Sequence, residues 1–125
     1  REIYEKLMDE MEVNMPFGEL QRITCDLFEA QGHPTIRSNE ATQEGYVHSV
    51  GHGLGVNVHE RPWARMEMKD NLLKRGTVFT IEPGLYYPER GMGVRIENTY
   101  YARPDGTFER IAEFPFDFVL EMKSK

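Results

Sequence analysis

At 125 residues, with 39% hydrophobic and 29% charged content, the chain has the profile of one globular domain built around one core. A net charge of −6 offers no basic face to a phosphate backbone, so nucleic acid is not an expected partner. The single cysteine, Cys25, excludes an internal disulfide and a cysteine-rich zinc site, no apolar run has the length of a membrane span, and no secretory leader pattern is present. The expected compartment is the reducing cytoplasm.

Residues 1–13 place Ile3, Tyr4, Leu7, Met8 and Met11 on one helical face. Asn14, Met15 and Pro16 break that pattern. A second helix is predicted from Pro16 or Phe17 to Gln31, with Pro16 suited to its first turn and Gly32 to its C-terminal cap. Its apolar stripe is Leu20, Ile23, Thr24, Leu27 and Phe28, and Cys25 reads as a buried structural thiol. Residues 33–45 are polar and irregular, the pattern of a surface loop. Strand-like pieces follow in GTVFTIEPG (76–84) and GVRIENTYYA (93–102). Pro104, Asp105 and Gly106 predict a turn, TFERIAEF a return strand, and Phe116–Glu121 a last strand. Helices first and strands after predict an α+β fold with an antiparallel or mixed sheet.

Three of the four histidines crowd into GYVHSVGHGLGVNVHERP: His48, His52 and His59. His52 is flanked by Gly51 and Gly53, which permit close approach of a ligand and present the imidazole to it. Downstream, Glu82 ends the apolar run VFTIE, where a buried carboxylate needs a cation or a hydrogen-bonding partner. Glu97 lies in VRIEN, with Arg95 two positions back on the same strand face as a surface partner. One imidazole and two carboxylates form a hard, oxygen-rich partial metal site, suited to manganese, cobalt or iron. His48 and His59 would stand beside it, moving protons and stabilising charge on a carbonyl oxygen.

Taken in order, HSVGHGLGVNVHERP, GTVFTIEPGLY and GVRIENT resemble the C-terminal half of the pita-bread metallopeptidases. That family includes methionine aminopeptidase, Xaa-Pro aminopeptidase and Xaa-Pro dipeptidase (prolidase). The resemblance implies two helices packed on a curved, mostly antiparallel sheet, with residues 1–125 as the C-terminal part of a catalytic domain. His48 and the short stretch between the two glutamates resemble the proline-directed branch, which hydrolyses the peptide bond before proline.

Carried over by motif, His52, Glu82 and Glu97 are implied as metal ligands. Glu82 also handles the attacking water, and Glu97 bridges two ions. His59 is implied to stabilise the intermediate, with His48 and Arg95 on the substrate side. Tyr86 matches a tyrosine common after the EPG motif and receives no role. The implied cofactors are two divalent ions, manganese or cobalt first, with zinc or iron as further options. The implied partner is a proline-containing peptide or dipeptide.

The family's site takes two further aspartates from an upstream strand pair. Asp9, Asp26, Asp70, Asp105 and Asp117 do not match that motif. The expectation is therefore a fragment, inactive in isolation, with an uncovered edge that favours a homodimer. The alternative is an inactive pita-bread domain that serves as a protein-binding module.

Overall fold

In the computed structural model, which describes residues 1–117 and 119, helix α1 (Glu2–Glu10) and helix α2 (Phe17–Ala30) precede seven short strands. These are β1 (His52–Gly53), β2 (Glu60–Trp63), β3 (Val78–Ile81), β4 (Gly84–Tyr87), β5 (Met92–Arg95), β6 (Asn98–Ala102) and β7 (Phe108–Arg110). Five of them form a sheet in the order β2-β1-β3-β6-β7, and β4 pairs with β5 in a separate ribbon. Every ladder between these strands is antiparallel. The α+β expectation holds.

Helix α2 ends where the sequence says it should, whereas α1 stops short of residue 13, at Glu10, because Met11 is already extended with ψ 126°. Asn14 takes a left-handed φ of 69°, which breaks the first helical pattern from the second. Pro16 is the capping residue just before α2 rather than part of its first turn. At the other end Gly32 has φ 82°. Its N–H donates to the Glu29 carbonyl at 2.9 Å and that of His33 to the Phe28 carbonyl at 3.0 Å, the two bonds of a Schellman cap.

α2 buries a slightly different stripe from the one predicted. Leu20, Thr24 and Phe28 are buried, but so are Phe17, Gln21 and Cys25, whereas Ile23 and Leu27 are only half-buried. Gln21 belongs inside because its side chain replaces backbone partners for residues 46–50. Its Oε1 accepts from Tyr46 Oη and from the Val50 N–H, both at 2.6 Å, and its Nε2 donates to the His48 carbonyl at 3.3 Å. The helix thereby holds the irregular segment that carries the first site histidine.

The core joins helices and sheet through edge-on rings of Phe17 and Phe79, 5.4 Å between centroids, and a bond between the Tyr4 and Tyr100 hydroxyls at 2.7 Å. Residues 33–45 do form a loop, but Thr35 within it is fully buried. Arg37 fastens the loop to α2 through Glu29 and Asp26.

Two strand expectations need correction. Residues 93–102 are not one strand. The chain leaves β5 at Arg95, passes through Ile96 and Glu97, and enters β6 in the other sheet. The run 76–84 holds its strand at Val78–Ile81, before the expected break at Pro83 and Gly84, and β4 starts at Gly84. The cause is that the neighbours change: β3 pairs with β6 up to Ile81↔Asn98, and β4 pairs with β5 from Gly84↔Arg95. The return strand is also shorter than TFERIAEF, covering Phe108–Arg110. The expected last strand at 116–121 lies mostly outside the described residues, and Phe116 and Asp117 are not in strand.

Candidate active site

Both glutamates fall in the gap between the two sheets, where strands lose their ladder partners. There the backbone alternation ends and each side chain is free to find its own environment. Glu82 turns inward and is 7% exposed; Glu97 turns out to solvent. The Glu82 N–H donates to the Val50 carbonyl at 2.8 Å, which ties the carboxylate to the histidine-bearing segment.

The glycines of the histidine run permit close backbone packing. A Cβ on Gly51 would lie 2.0 Å from the Thr80 carbonyl oxygen, and one on Gly53 2.1 Å from that of Arg61. Only glycine lets β1 fit between β2 and β3 here. That fit brings His52 against Glu82, with His52 Nε2 3.1 Å from Glu82 Oε1.

The tautomer follows from the other ring nitrogen. His52 Nδ1 lies 2.9 Å from the Gly53 carbonyl, which can only accept, so Nδ1 carries the proton. Nε2 of a neutral ring then presents a lone pair to a carboxylate. Two electron-pair donors at this distance need a cation between or beside them: a second proton on the ring, or a metal ion. Two ligands at right angles, each about 2.1 Å from one ion, stand roughly 3 Å apart. The pair fits one edge of a metal site on both chemistry and spacing.

The rest of the implied ligand set is not gathered. Among the described residues, no group of three His, Cys, Asp or Glu side chains is placed to hold an ion. Glu97 lines a different hollow, beside Phe114 and Phe116. Arg95, expected as its surface partner, instead forms an ion pair with Glu82, its Nη1 3.2 Å from Glu82 Oε2. Thr80, two positions before Glu82 on the same strand face, donates from its hydroxyl to Glu82 Oε1 at 3.0 Å and accepts from the His52 N–H at 3.2 Å. The Glu82 carboxylate is thus held by a hydrogen bond from Thr80 and an ion pair with Arg95, while His52 Nε2 faces it with a lone pair.

His48 and His59 flank this pair differently. The ring of exposed His59 packs edge-on against His52, 4.3 Å between centroids. His48 donates from Nδ1 to the Ser49 carbonyl at 2.7 Å, so its Nε2 accepts from Tyr86 Oη at 3.2 Å. Tyr86 Oη in turn accepts from Arg95 Nε at 2.8 Å. Burial favours the neutral imidazole and lowers the His48 pKa, with the Arg95 charge acting in the same direction. Tyr86, which the sequence left without a role, is the link between His48 and Arg95. Its place after the EPG motif, on the strand paired with the one carrying Arg95, is the signal that pointed to it.

These groups open onto a cavity of about 280 Å³ lined by His48, His52, His59, Trp63, Arg65, Glu82 and Arg95 among others. Trp63 stands directly across the β1–β2 ladder from His52. Neither Trp63 nor Arg65 was singled out from sequence, since in HERPWARMEMKD they look like ordinary loop residues.

The chain belongs to metallopeptidase family M24, whose model matches residues 1–104. It is 35% identical over 114 residues to the Xaa-Pro dipeptidase of Pyrococcus furiosus, a match covering 85% of this chain and 29% of that protein. Among solved structures it is similar to the prolidase from Pyrococcus horikoshii OT3, with a TM-score of 0.76 and 28% identity over 94% of this chain and 30% of that one. It is also similar to the X-prolyl aminopeptidase from Caenorhabditis elegans, described as a cytosolic enzyme with a di-nuclear active site. There the TM-score is 0.54 and the identity 28%, over 80% of this chain and 16% of the other. The fold is the pita-bread fold of these peptidases, and the chain spans less than a third of the length of each of these three relatives.

Proposed function

We propose that residues 1–125 are the C-terminal part of the catalytic domain of a metal-dependent Xaa-Pro peptidase, an aminopeptidase or dipeptidase that hydrolyses the bond before proline. The observation that supports this most is the His52–Glu82 contact, two lone-pair donors 3.1 Å apart beside a pocket lined by histidines. The similarity to an Xaa-Pro dipeptidase and a prolidase supports the proline preference.

His52, Glu82 and Glu97 would hold two divalent ions, manganese or cobalt in the first place, together with carboxylates from elsewhere in the protein. Such ions, when bound, lower the pKa of water and polarise the scissile carbonyl. In this reading Glu82 takes a proton from the attacking water. His59, exposed at the pocket mouth, donates to the carbonyl oxygen as negative charge develops there. Tyr86 fixes His48 and Arg95 relative to each other, and both shape the proline side of the pocket. The enzyme is read as a cytoplasmic homodimer. The buried, unpaired Cys25 supports the compartment, and the exposed Met92 and Val94 on the β4–β5 ribbon support an interface.

A second reading, a protein-binding module without activity, draws on the outward-facing Glu97 and the lack of a three-ligand cluster among the described residues. Manganese titration and Ala-Pro hydrolysis separate the two. The protein expressed from its whole gene is expected to bind two ions and cleave Ala-Pro, and His52→Ala to abolish metal-dependent cleavage. The 125-residue chain alone is expected to be inactive. Turnover unchanged in His52→Ala overturns the peptidase reading, and absence of both ion binding and cleavage in the whole protein supports the module.

A further inference from the structure

The ladder between β1 and β3 consists of a single residue pair, Gly53↔Phe79. One residue earlier the backbone meets a side chain: the His52 N–H donates to the Thr80 hydroxyl oxygen at 3.2 Å. That residue is buried, 3% exposed, and its hydroxyl still has a proton to place. The proton goes to Glu82 Oε1 at 3.0 Å. One side chain thus touches both members of the imidazole–carboxylate pair, His52 at its backbone and Glu82 at its carboxylate. Threonine is β-branched and stiff at χ1, so the strand backbone sets where the oxygen stands. The strand is fixed in turn by β6, where Thr80 pairs with Thr99.

The Glu82 carboxylate has a second claimant. Arg95 Nη1 lies 3.2 Å from Oε2. A guanidinium favours taking both oxygens of a carboxylate through two parallel N–H groups. A Glu82 turned fully towards Arg95 would withdraw Oε1 from His52 Nε2, which it now faces at 3.1 Å. Two contacts oppose that turn. The Thr80 hydroxyl holds Oε1, and the Tyr86 hydroxyl engages Arg95 Nε at 2.8 Å, which removes one N–H from the fork. On the metal-peptidase reading above, we propose that Thr80 is a positioning residue: its hydroxyl holds Glu82 Oε1 against His52 and keeps the carboxylate from passing wholly to Arg95, so that both groups are offered to one divalent ion. Without the hydroxyl the two ligands remain in the chain, but nothing fixes one relative to the other.

The test is calorimetric titration of manganese into the whole protein and into its Thr80→Val, Thr80→Ser and Arg95→Ala variants, each checked for a native fold by circular dichroism. Thr80→Val is expected to weaken manganese binding by about ten- to a hundred-fold, the usual effect of removing a hydrogen-bond partner from a metal-binding side chain. Thr80→Ser keeps the hydroxyl and should stay within about three-fold of wild type, although loss of the buried methyl lowers its stability. A purely structural role predicts instead that affinity follows stability. In an Arg95→Ala background the competitor is gone, and Thr80→Val should cost less than about five-fold. Wild-type affinity in Thr80→Val overturns the assignment. So does a loss in Thr80→Ser as large as in Thr80→Val, or an equal cost of Thr80→Val with and without Arg95. If Thr80→Val does not fold, Thr80→Ala removes the hydroxyl without placing a methyl beside the carboxylate, and the same criteria apply. A wild type that binds no manganese overturns the metal reading and the role of Thr80 with it; binding that survives Thr80→Val overturns the role of Thr80 alone.

Discussion

Replacing Gln21 by leucine tests whether the helix holds the site through one buried amide. The side chain is buried, and its Oε1 accepts two short bonds, from Tyr46 Oη and the Val50 N–H, both at 2.6 Å. Gln21→Leu removes the acceptor from both donors at once. At roughly 1–3 kcal/mol for each buried donor left unsatisfied, the loss is about 2–6 kcal/mol. Burial of the leucine side chain returns about 2 kcal/mol. The expected net destabilisation is about 0–4 kcal/mol, read by urea denaturation followed by circular dichroism. Tyr46→Phe supplies the control, since it removes one of the donors. In the wild-type background it should cost about 1 kcal/mol, but in the Gln21→Leu background it should restore stability. The same Tyr46→Phe cost in both backgrounds would refute the reasoning. Because the Gln21 Nε2 also holds the His48 carbonyl, any peptidase activity should fall with stability.

Gly51→Ala should cost about 3 kcal/mol, the upper end of overpacking, because its Cβ would meet the Thr80 carbonyl oxygen at 2.0 Å and Phe17 Cζ at 2.9 Å; thermal melting checks this. Arg37→Ala should cost about 1 kcal/mol and speed amide exchange in residues 35–46, since Arg37 ties that loop to Glu29 and Asp26; unchanged exchange would count against it. His48 gives a pH dependence of defined sign. Its folded pKa is lowered by burial, so the unfolded state binds the proton more readily. Its contribution is present above the ordinary histidine value of about 6.5 and is lost as pH falls through the lower folded value. Denaturation midpoints of wild type and His48→Gln, compared between pH 7.5 and 5, should diverge less at the acid end.

The helices were legible in the sequence because their apolar periodicity is strong and the bounds of α2 are set locally, by Pro16 and Gly32, although α1 ends at Glu10, ahead of the break expected at Asn14. The exact burial of α2 was not. Gln21 looks like a surface residue until residues 46–50 are seen to need its acceptor, and that need arises between segments far apart in the chain. His48, His52, Glu82 and Arg95 were found from motif and composition, and the fold does bring them together. Glu97 was found by the same reasoning, yet its side chain faces away from them. Strand alternation cannot anticipate that, because the chain changes sheets at Ile96 and Glu97. Thr80 and Trp63 were missed, and Tyr86 was noted without a role, because their contacts with His52, His48 and Arg95 lie on other strands.

The crossing from one sheet to the other also governs how the sequence can vary. The β4–β5 ribbon leaves the gap at Gly84↔Arg95 and returns through the turn at Pro88–Gly91, four residue pairs away. Residues added in matched numbers to both arms would lengthen the ribbon and leave the root pair unchanged. Unequal additions would shift every pair below them and turn Tyr86 or Arg95 to the wrong face. The distance along the chain between Glu82 and Glu97 is therefore free to drift, while the pairing of Gly84 with Arg95 is not. Recognition of related chains by fixed spacing between the two glutamates would fail on such variants. A parity rule on the ribbon arms would succeed.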